Sequence, residues 1–428
     1  MARAARLPGA PEPDDRVVCH VDMDCFYAAC ERLREPALRG EPVVVGMGFE
    51  PGETIGAVAT ASYEARAYGV ESAQPISEAL ERLPRKIDAA EDPDRDVAEA
   101  GFYRPVDMDY YQSVAADVKA ILRERAATIR EVSVDEAYLD VTDRVDWNES
   151  DPRTFGRGLK DAIEESVGVT ASVGVAPSKS AAKIASDHDK PDGLVVVRPG
   201  EVREFLAPLD VEEVHGIGPV TAAELRGMGV ETAGDLAAAD PDVIEDRFGD
   251  RGLEVHRYAR GEDDRAVEPV GKPKSLSRES AFAEATSDDA RKRERVRGLA
   301  TAVAERAARK DALYRTIGIK VVTPPYDVNT RARSLPGPVE DADLVREIAL
   351  DLLGEFEGNR ARKLGVRVSN LTFADEAQAS LESWDDEASG DSEAGGDGQD
   401  DAADGDRHRP DRPRRRDRQL SLGEFESG

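Results

Sequence analysis

The sequence predicts an α+β protein of several domains, and three observations carry that reading. Strand-like and helix-like apolar patterns interleave without the regular strand-helix-strand repeat of a doubly wound sheet. The chain has 428 residues, enough for about three domains that each bury a core. Charge is unevenly spread. Residues 1–271 carry 31 basic and 56 acidic side chains, residues 272–374 carry 20 basic and 15 acidic, and residues 375–406 carry 13 acidic and none basic.

In chain order, Arg16 to Asp22 is an apolar strand signal, and a helix carrying Ala28, Ala29 and Leu33 begins near Phe26. Pro42 to Gly46 and Ala57 to Ala61 are short apolar strands, and Tyr63 to Tyr68 reads as helix. Asp88 to Gly101 is acidic and patternless, which predicts an exposed insertion. Val114, Val118, Ile121 and Leu122 recur at three- and four-residue spacing, so Tyr110 to Arg125 is a helix. Glu131 to Asp135 and Ala137 to Val141 make one strand-rich region, followed by a helix over Thr154 to Ser166 and a strand over Val169 to Val175. Beyond residue 374 apolar residues nearly vanish, and such a stretch cannot offset its ordering entropy, so residues 374–418 are expected to be disordered.

Composition excludes several classes. No run of about 18 apolar residues exists, so no membrane span is expected. The first 15 residues lack the apolar stretch of a secretory signal. Cys19, Cys25 and Cys30 are odd in number and form no CxxC, which reads as small buried hydrophobes in a reducing cytoplasm. The formal net charge is −30, with 46 Arg against 12 Lys. An acidic surface poor in lysine suits very high salt, where the Debye length falls to about 3 Å at 1 M and self-repulsion costs little. An ordinary acidic cytosolic protein is the blander alternative. Taken whole, −30 argues against a nucleic-acid partner; the net-positive stretch 272–374 removes that objection locally.

Two segments carry candidate chemistry: Val21-Asp22-Met23-Asp24 at the end of an apolar strand, and Ser133-Val134-Asp135-Glu136 within the next strong β signal. Carboxylates at strand ends are costly unless they hold a cation or a cationic partner. Hard divalent ions take oxygen ligands, so Asp22, Asp135 and Glu136 brought to one point would build a two-metal site for phosphoryl displacement. Among 88 acidic residues, pairs also arise by chance, and surface acids remain the competing explanation on spacing alone.

The surrounding residues decide between them. His20-Val21-Asp22-Met23-Asp24-Cys25-Phe26-Tyr27-Ala28-Ala29-Cys30-Glu31 resembles the opening motif of Y-family DNA polymerases of the polymerase IV type. Ala59 to Arg66 with Tyr68-Gly69-Val70 resembles their fingers motif, and Ser133 to Asp140 their second catalytic motif. Val173 to Ala176, Lys179, Ala182 to Ser186 and Lys190-Pro191-Asp192-Gly193 resemble the segment leading into the thumb. The resemblance implies a right-hand polymerase: an N-terminal extension at 1–15, a palm from 16–25 and 92–190, fingers at 26–91, a thumb at 191–265, a linker at 266–272 and a little finger at 273–373. The disordered linker 374–418 and a peptide at 419–426 follow.

By the same resemblance, Asp22, Asp135 and Glu136 are the catalytic acids and hold two Mg²⁺ ions, with the Met23 carbonyl as a further ligand. Asp24 is expected to be structural. Tyr27 is the steric gate beneath the sugar of the incoming dNTP, and Phe26 packs in the core or lends its N–H to a phosphate. Tyr63, Arg66 and Lys183 bind the triphosphate, tasks that suit a hydroxyl donor, a guanidinium fork and a point charge. Asp107 departs from the family, whose members usually carry arginine there, and Gly46 to Glu53 also differs.

Val214-His215-Gly216-Ile217-Gly218, with Thr221, Ala222, Leu225 and Gly229-Val230, fits a helix-hairpin-helix in which Gly216 and Gly218 let backbone N–H groups approach a DNA phosphate. An ordinary helical turn has the same pattern, and its place in the thumb favours the DNA contact. In the net-positive module, Lys274, Ser275, Arg278, Arg331 and Arg333 are candidates for phosphate contacts; the alternative is pairing with neighbouring acids. Gln419-Leu420-Ser421-Leu422-Gly423-Glu424-Phe425 resembles the peptide that docks sliding clamps, with Gln419, Leu422 and Phe425 as its contacts. The expected protein is a monomeric cytoplasmic translesion polymerase without proofreading, acting on primer-template DNA and dNTPs. Its rivals are a non-catalytic clamp- and DNA-binding scaffold of the same fold and a palm-type nucleotide cyclase.

Overall fold

A computed structural model describes residues 15–373. The expected tail 374–418 and the clamp peptide with Gln419, Leu422 and Phe425 lie outside the described residues. The chain divides at Val270/Gly271 into two compact units, inside the predicted linker 266–272.

The first unit runs β1 (Val18–Met23), α1 (Phe26–Arg34), β2 (Val43–Met47), β3 (Ala57–Ala61), α2 (Tyr63–Arg66), α3 (Ile76–Arg82), α4 (Lys86–Glu91), β4 (Phe102–Pro105) and α5 (Met108–Arg125). It continues with β5 (Thr128–Glu131), β6 (Glu136–Asp140), α6 (Pro152–Val167), β7 (Ala171–Ala176), α7 (Lys179–His188), β8 (Leu194–Val196), α8 (Val202–Leu206), α9 (Pro219–Gly227), α10 (Ala233–Ala238) and α11 (Pro241–Ala259). Its main sheet has the order β5-β6-β1-β7-β8, so β1 is central and pairs antiparallel with both β6 and β7.

Alternation along β1 divides its side chains between two cores. Val17, Cys19, Val21 and Met23 join Phe26, Ala28 and Cys30 of α1, Tyr111, Val114 and Val118 of α5, and Leu159 and Ile163 of α6. Val18, on the opposite face, packs with Tyr138 and with Ala181, Ala182 and Ala185 of α7. His20 and Asp22 share the parity of Val18 and therefore look toward α7. That helix lies unusually close because Gly174, the β7 partner of His20, has no side chain. A Cβ there would stand 2.1 Å from the Ala182 carbonyl oxygen and 2.4 Å from the Ser186 nitrogen.

A second sheet, β3-β2-β4, is mixed, with β2 and β4 parallel. It buries Val44, Phe49, Val58, Ile76, Leu83 and Tyr103. Phe102–Pro105 thus joins the sheet of Val43–Met47, and α1 packs against β2, β3 and α5. The acidic stretch 88–101 is only partly the expected exposed insertion. Residues 93–99 are exposed, but Lys86–Glu91 is helical and both Ala89 and Ala100 are buried. One alanine is the whole buried side of that short helix, too little to register as an apolar period. Helices α8 to α11 gather around Leu206, Val214, Ile217, Leu225, Leu236, Ile244 and Val255.

The second unit contains β9 (Ser275–Thr286), α12 (Asp289–Ala308), β10 (Ala312–Thr323), β11 (Asp327–Val339), α13 (Ala342–Leu353) and β12 (Ala361–Phe373). Its antiparallel sheet has the order β11-β10-β12-β9. The core is formed by Val296, Leu299 and Val303 of α12 and Val345, Ile348 and Leu352 of α13 against Ile317, Ile319, Val366 and Val368. Lys292 is buried there, its ammonium satisfied by the carbonyls of Phe356 (2.8 Å) and Asn359 (2.9 Å) and by Asp289 (2.6 Å). Among the described residues, no helix is long and apolar enough to cross a membrane.

Candidate active site

Strand register brings the acids together. Asp22 on β1 is paired with Glu136, the first residue of β6. Asp135 precedes it in the turn joining β5 to β6, and its carbonyl accepts the Met23 N–H at 3.0 Å. The sequence places Asp135 inside a strand; the structure places it in a hairpin turn organised by Ser133. The Ser133 hydroxyl donates to Asp135 Oδ1 and accepts the N–H groups of Asp135 (3.2 Å) and Glu136 (2.9 Å). Apolar Val132 and Val134 conceal that turn from a hydropathy reading.

Two ammonium groups neutralise this cluster. Lys183 Nζ on α7 lies 2.8 Å from Asp22 Oδ2 and 2.8 Å from Glu136 Oε1. Lys190 Nζ lies 2.7 Å from the same Asp22 oxygen and 2.9 Å from Asp187 Oδ1. Burial would raise the pKa of Asp22, but Lys183 and Lys190 outweigh it and hold the carboxyl below the usual range. Burial pushes Glu136 up to about 7, with Lys183 opposing and Asp22 adding to the rise. Asp135 is also raised, mainly by burial. Burial would lower Lys183, yet Asp22, Glu136 and Asp187 raise it, so the ammonium stays charged. Lys183, expected at a triphosphate, therefore sits between two of the acids. Lys190 was missed as a site residue; its signal is the Lys-Pro-Asp-Gly segment after α7.

The donor set suits a hard divalent ion: the carboxylates of Asp22, Asp135 and Glu136, with the Met23 carbonyl next to Asp22 in sequence. Among the described residues, no three His, Cys, Asp or Glu side chains stand in closed chelating geometry. The bridging lysine ammonium shows instead that positive charge is stable between these acids. The residues present fit a divalent cation, with Glu136 free to turn once Lys183 releases Oε1.

Asp24 has another task. Its carboxylate accepts from Ser172 Oγ (2.8 Å), the Asp192 N–H (2.9 Å) and Tyr63 OH (3.3 Å), tying β1 to β7 and to the loop after Pro191. Cys25 turns the chain in the left-handed region (φ 44°) and starts α1 without a side-chain cap. Phe26 is then buried in the core, while Tyr27 is half-buried and stacks on Tyr111 with ring centroids 4.6 Å apart and planes at 17°. Tyr111 is itself held by its hydroxyl, which donates to buried Glu31 at 2.8 Å. Arg66 lies over the Tyr63 ring at 4.8 Å and donates to the Ala61 carbonyl at 3.0 Å. Asp107 caps α5, accepting the Tyr110 N–H at 3.2 Å, and pairs with Arg34 at 2.7 Å.

Gly216 adopts φ 91° and faces Arg251, whose Nη2 a Cβ would meet at 2.1 Å. Gly218 begins α9 with open space beside it, so the first helical N–H groups are approachable. In the second unit, Lys274 and Arg278 are exposed on or next to β9, and Ser275 is half-buried at its start. Arg331 and Arg333 follow the alternative reading: Arg331 pairs with Glu355 at 2.6 Å and Arg333 with Asp351. Their acids come from α13 and the turn after it, a pairing across elements that sequence proximity cannot reveal.

The sequence matches the impB/mucB/samB family over residues 21–187, that family's C-terminal domain over 273–381 and its helix-hairpin-helix motif over 199–230. It is 61% identical over 391 residues to the DNA polymerase IV of Halobacterium salinarum, covering 91% of this chain and 93% of that protein. The DNA polymerase IV of Methanoculleus marisnigri is 41% identical, over 86% of this chain and 98% of its own. Among solved structures, a Y-family DNA polymerase chimera superposes with a TM-score of 0.71 at 29% identity, over 83% of this chain and 99% of that one. The insertion ternary complex of Dbh DNA polymerase superposes at 0.59 with 27% identity and the same coverage.

Proposed function

This chain belongs to the impB/mucB/samB family, whose matching members are Y-family DNA polymerases of the polymerase IV type, and on that premise we propose how its residues carry out template-directed DNA synthesis. The protein is a DNA-directed DNA polymerase of the translesion class, acting on DNA and dNTPs. The observation that carries the residue assignment is the register of Asp22 with Glu136, beside a turn that presents Asp135. These three acids would hold two Mg²⁺ ions, with the Met23 carbonyl as an added oxygen. Such ions would supply a lowered pKa at the primer 3′-hydroxyl and neutralising charge at the departing pyrophosphate.

The chain's own groups prepare that site. Lys183 and Lys190 keep Asp22 ionised despite its burial. Lys183, on a flexible stem beside Asp22 and Glu136, would also meet a triphosphate bound at those acids. Tyr63 and Arg66 add a hydroxyl and a guanidinium to the same phosphates. The uncapped N-terminus of α1 offers backbone N–H groups there. Tyr27, backed by Tyr111, is the gate that a ribose 2′-hydroxyl would strike. Gly216 and Gly218 grip the duplex backbone, with Lys274, Ser275 and Arg278 adding phosphate contacts. Arg331 and Arg333 join them only by exchanging their carboxylate partners. The peptide with Gln419, Leu422 and Phe425 tethers the polymerase, acting as a monomer, to a sliding clamp.

The intact acid set argues against a non-catalytic scaffold. Extension of a labelled primer opposite each of the four template bases tests the activity. Incorporation should follow the template base, and addition independent of the template would contradict the reading.

A further inference from the structure

Helix α1 buries Phe26, Ala28, Cys30 and, with them, the carboxylate residue Glu31, which is 3% exposed. Burying a carboxylate is costly unless hydrogen bonds or a cation satisfy it. Two groups do so here, and both approach the same oxygen. The Tyr111 hydroxyl on α5 donates to Glu31 Oε1 at 2.8 Å, and Arg34 Nη1 stands 3.8 Å from it. Arg34 is itself fixed: its guanidinium lies 4.1 Å over the Tyr110 ring, and Nη2 is 2.7 Å from Asp107, the cap of α5. Tyr111 is fully buried, so phenylalanine would fill the same space without bringing a polar pair into the core. What a buried polar pair adds is a single fixed arrangement.

The arrangement fixed here is that of the Tyr27 ring. Tyr27 and Glu31 are four residues apart on α1, so they stand one above the other on one face, separated by about one turn or 5.4 Å. Tyr111 lies across both. Its ring stacks on Tyr27, with centroids 4.6 Å and planes 17° apart, while its hydroxyl reaches Glu31. The last side-chain torsion of an aromatic residue is only weakly restricted by itself, and Tyr27 is half-buried. A gate that excludes a 2′-hydroxyl by collision works only while its ring cannot tilt away.

We infer that Glu31 is a specificity-determining positioning residue: it anchors the Tyr111 hydroxyl so that the Tyr111 ring holds the plane of Tyr27 against a ribose. The inference rests on the reading of Tyr27 as the steric gate. Burial, then Glu31, push the Tyr111 hydroxyl above its ordinary pKa, so it keeps the proton it donates. Without the anchor, Tyr111 keeps its place in the core, but its ring can rock and Tyr27 can follow. The acids on β1, β6 and the turn between β5 and β6 hold their register meanwhile, so the change falls on the choice of sugar.

The test measures kcat/KM for a dNTP and for the rNTP of the same base, using the full chain on one primer-template with Mg²⁺, and takes their ratio. Glu31→Leu and Tyr111→Phe should each lower that ratio about fivefold, the weight of one hydrogen bond. The double variant should lower it no further, because both substitutions remove the same contact. Glu31→Gln keeps an acceptor for the hydroxyl and should retain most of the selectivity. A merely structural role would lower both kcat/KM values together and leave the ratio at its wild-type value. Where Glu31→Leu fails to fold, Tyr111→Phe, which keeps the ring, carries the test. An unchanged ratio in either folded single variant would overturn the proposal. So would losses that multiply in the double variant, or a Glu31→Gln loss as deep as that of Glu31→Leu. Tyr27→Ala separates the two readings. If it leaves the ratio unchanged, the gate assignment itself fails; if it lowers the ratio while Glu31→Leu and Tyr111→Phe do not, only the role of Glu31 fails.

Discussion

Replacing Gly174 with alanine should damage stability and synthesis together, because one missing methyl sets the distance between sheet and helix at the acids. The added Cβ would stand 2.1 Å from the Ala182 carbonyl oxygen and 2.4 Å from the Ser186 nitrogen, both backbone atoms that cannot swing aside. Ordinary contact needs about 3.5 Å, so α7 must withdraw by about 1 Å. Overpacking of a dense core costs about 3 kcal/mol at this severity. The same withdrawal carries Lys183 and Ser186 away from Asp22, Glu136 and His20, and misplacement by about 1 Å costs about 100-fold in rate. Urea unfolding monitored by circular dichroism reads the first effect, and single-turnover dNTP incorporation the second. Gly298→Ala serves as the control. That glycine is exposed within α12 with nothing within 4 Å of its Cβ position, so alanine should stabilise its unit by about 0.5–1 kcal/mol. Wild-type stability and rate in Gly174→Ala would refute the close-packing reasoning.

Three further outcomes are expected. Tyr27→Ala should cut discrimination between dNTPs and rNTPs by at least tenfold in the ratio of kcat/KM, about 1.4 kcal/mol, and unchanged selectivity would remove Tyr27 as the gate. A chain ending at Arg418 should lose recovery on an immobilised sliding clamp while extending primers normally without the clamp; equal recovery would exclude the peptide. Burial, with Arg265 and Arg251, lowers His215 to about 4 from an ordinary 6.5. The unfolded chain therefore takes up a proton below pH 6.5 that the folded chain refuses until about pH 4. That stability is present above pH 6.5 and lost as pH falls through this window, by about 2 kcal/mol after allowing for partial exposure. Urea unfolding at pH 7 and pH 4.5 should show a smaller acid loss in His215→Asn than in wild type.

Much of the site was legible because it lies on short-range patterns. The apolar run of β1 announced a central strand, and its end announced Asp22. The period of Val114, Val118 and Leu122 gave α5, though its start two residues earlier depended on Asp107 as a cap. What stayed hidden depends on contacts between distant segments. That β4 pairs with β2 is invisible locally, since Phe102–Pro105 is too short to carry a β signal of its own. The turn at Asp135 hides behind Val132 and Val134. Lys190 reaches Asp22 only because strand and helix fold back across 168 positions. The carboxylate partners of Arg331 and Arg333 follow equally from tertiary packing. The net charge of −30 describes the solvent the surface suits; the acids beside Lys183 and Lys190 show how little of it bears on the site.

The most direct measurement is Mg²⁺-dependent primer extension by wild type and by the Asp135→Ala, Glu136→Ala double variant, with folding of both checked by thermal melting. Loss of synthesis by at least 1,000-fold, about 4 kcal/mol of transition-state stabilisation, is expected from removing two of the three acids. Undiminished synthesis by the folded double variant would contradict the assignment of the active site to Asp22, Asp135 and Glu136.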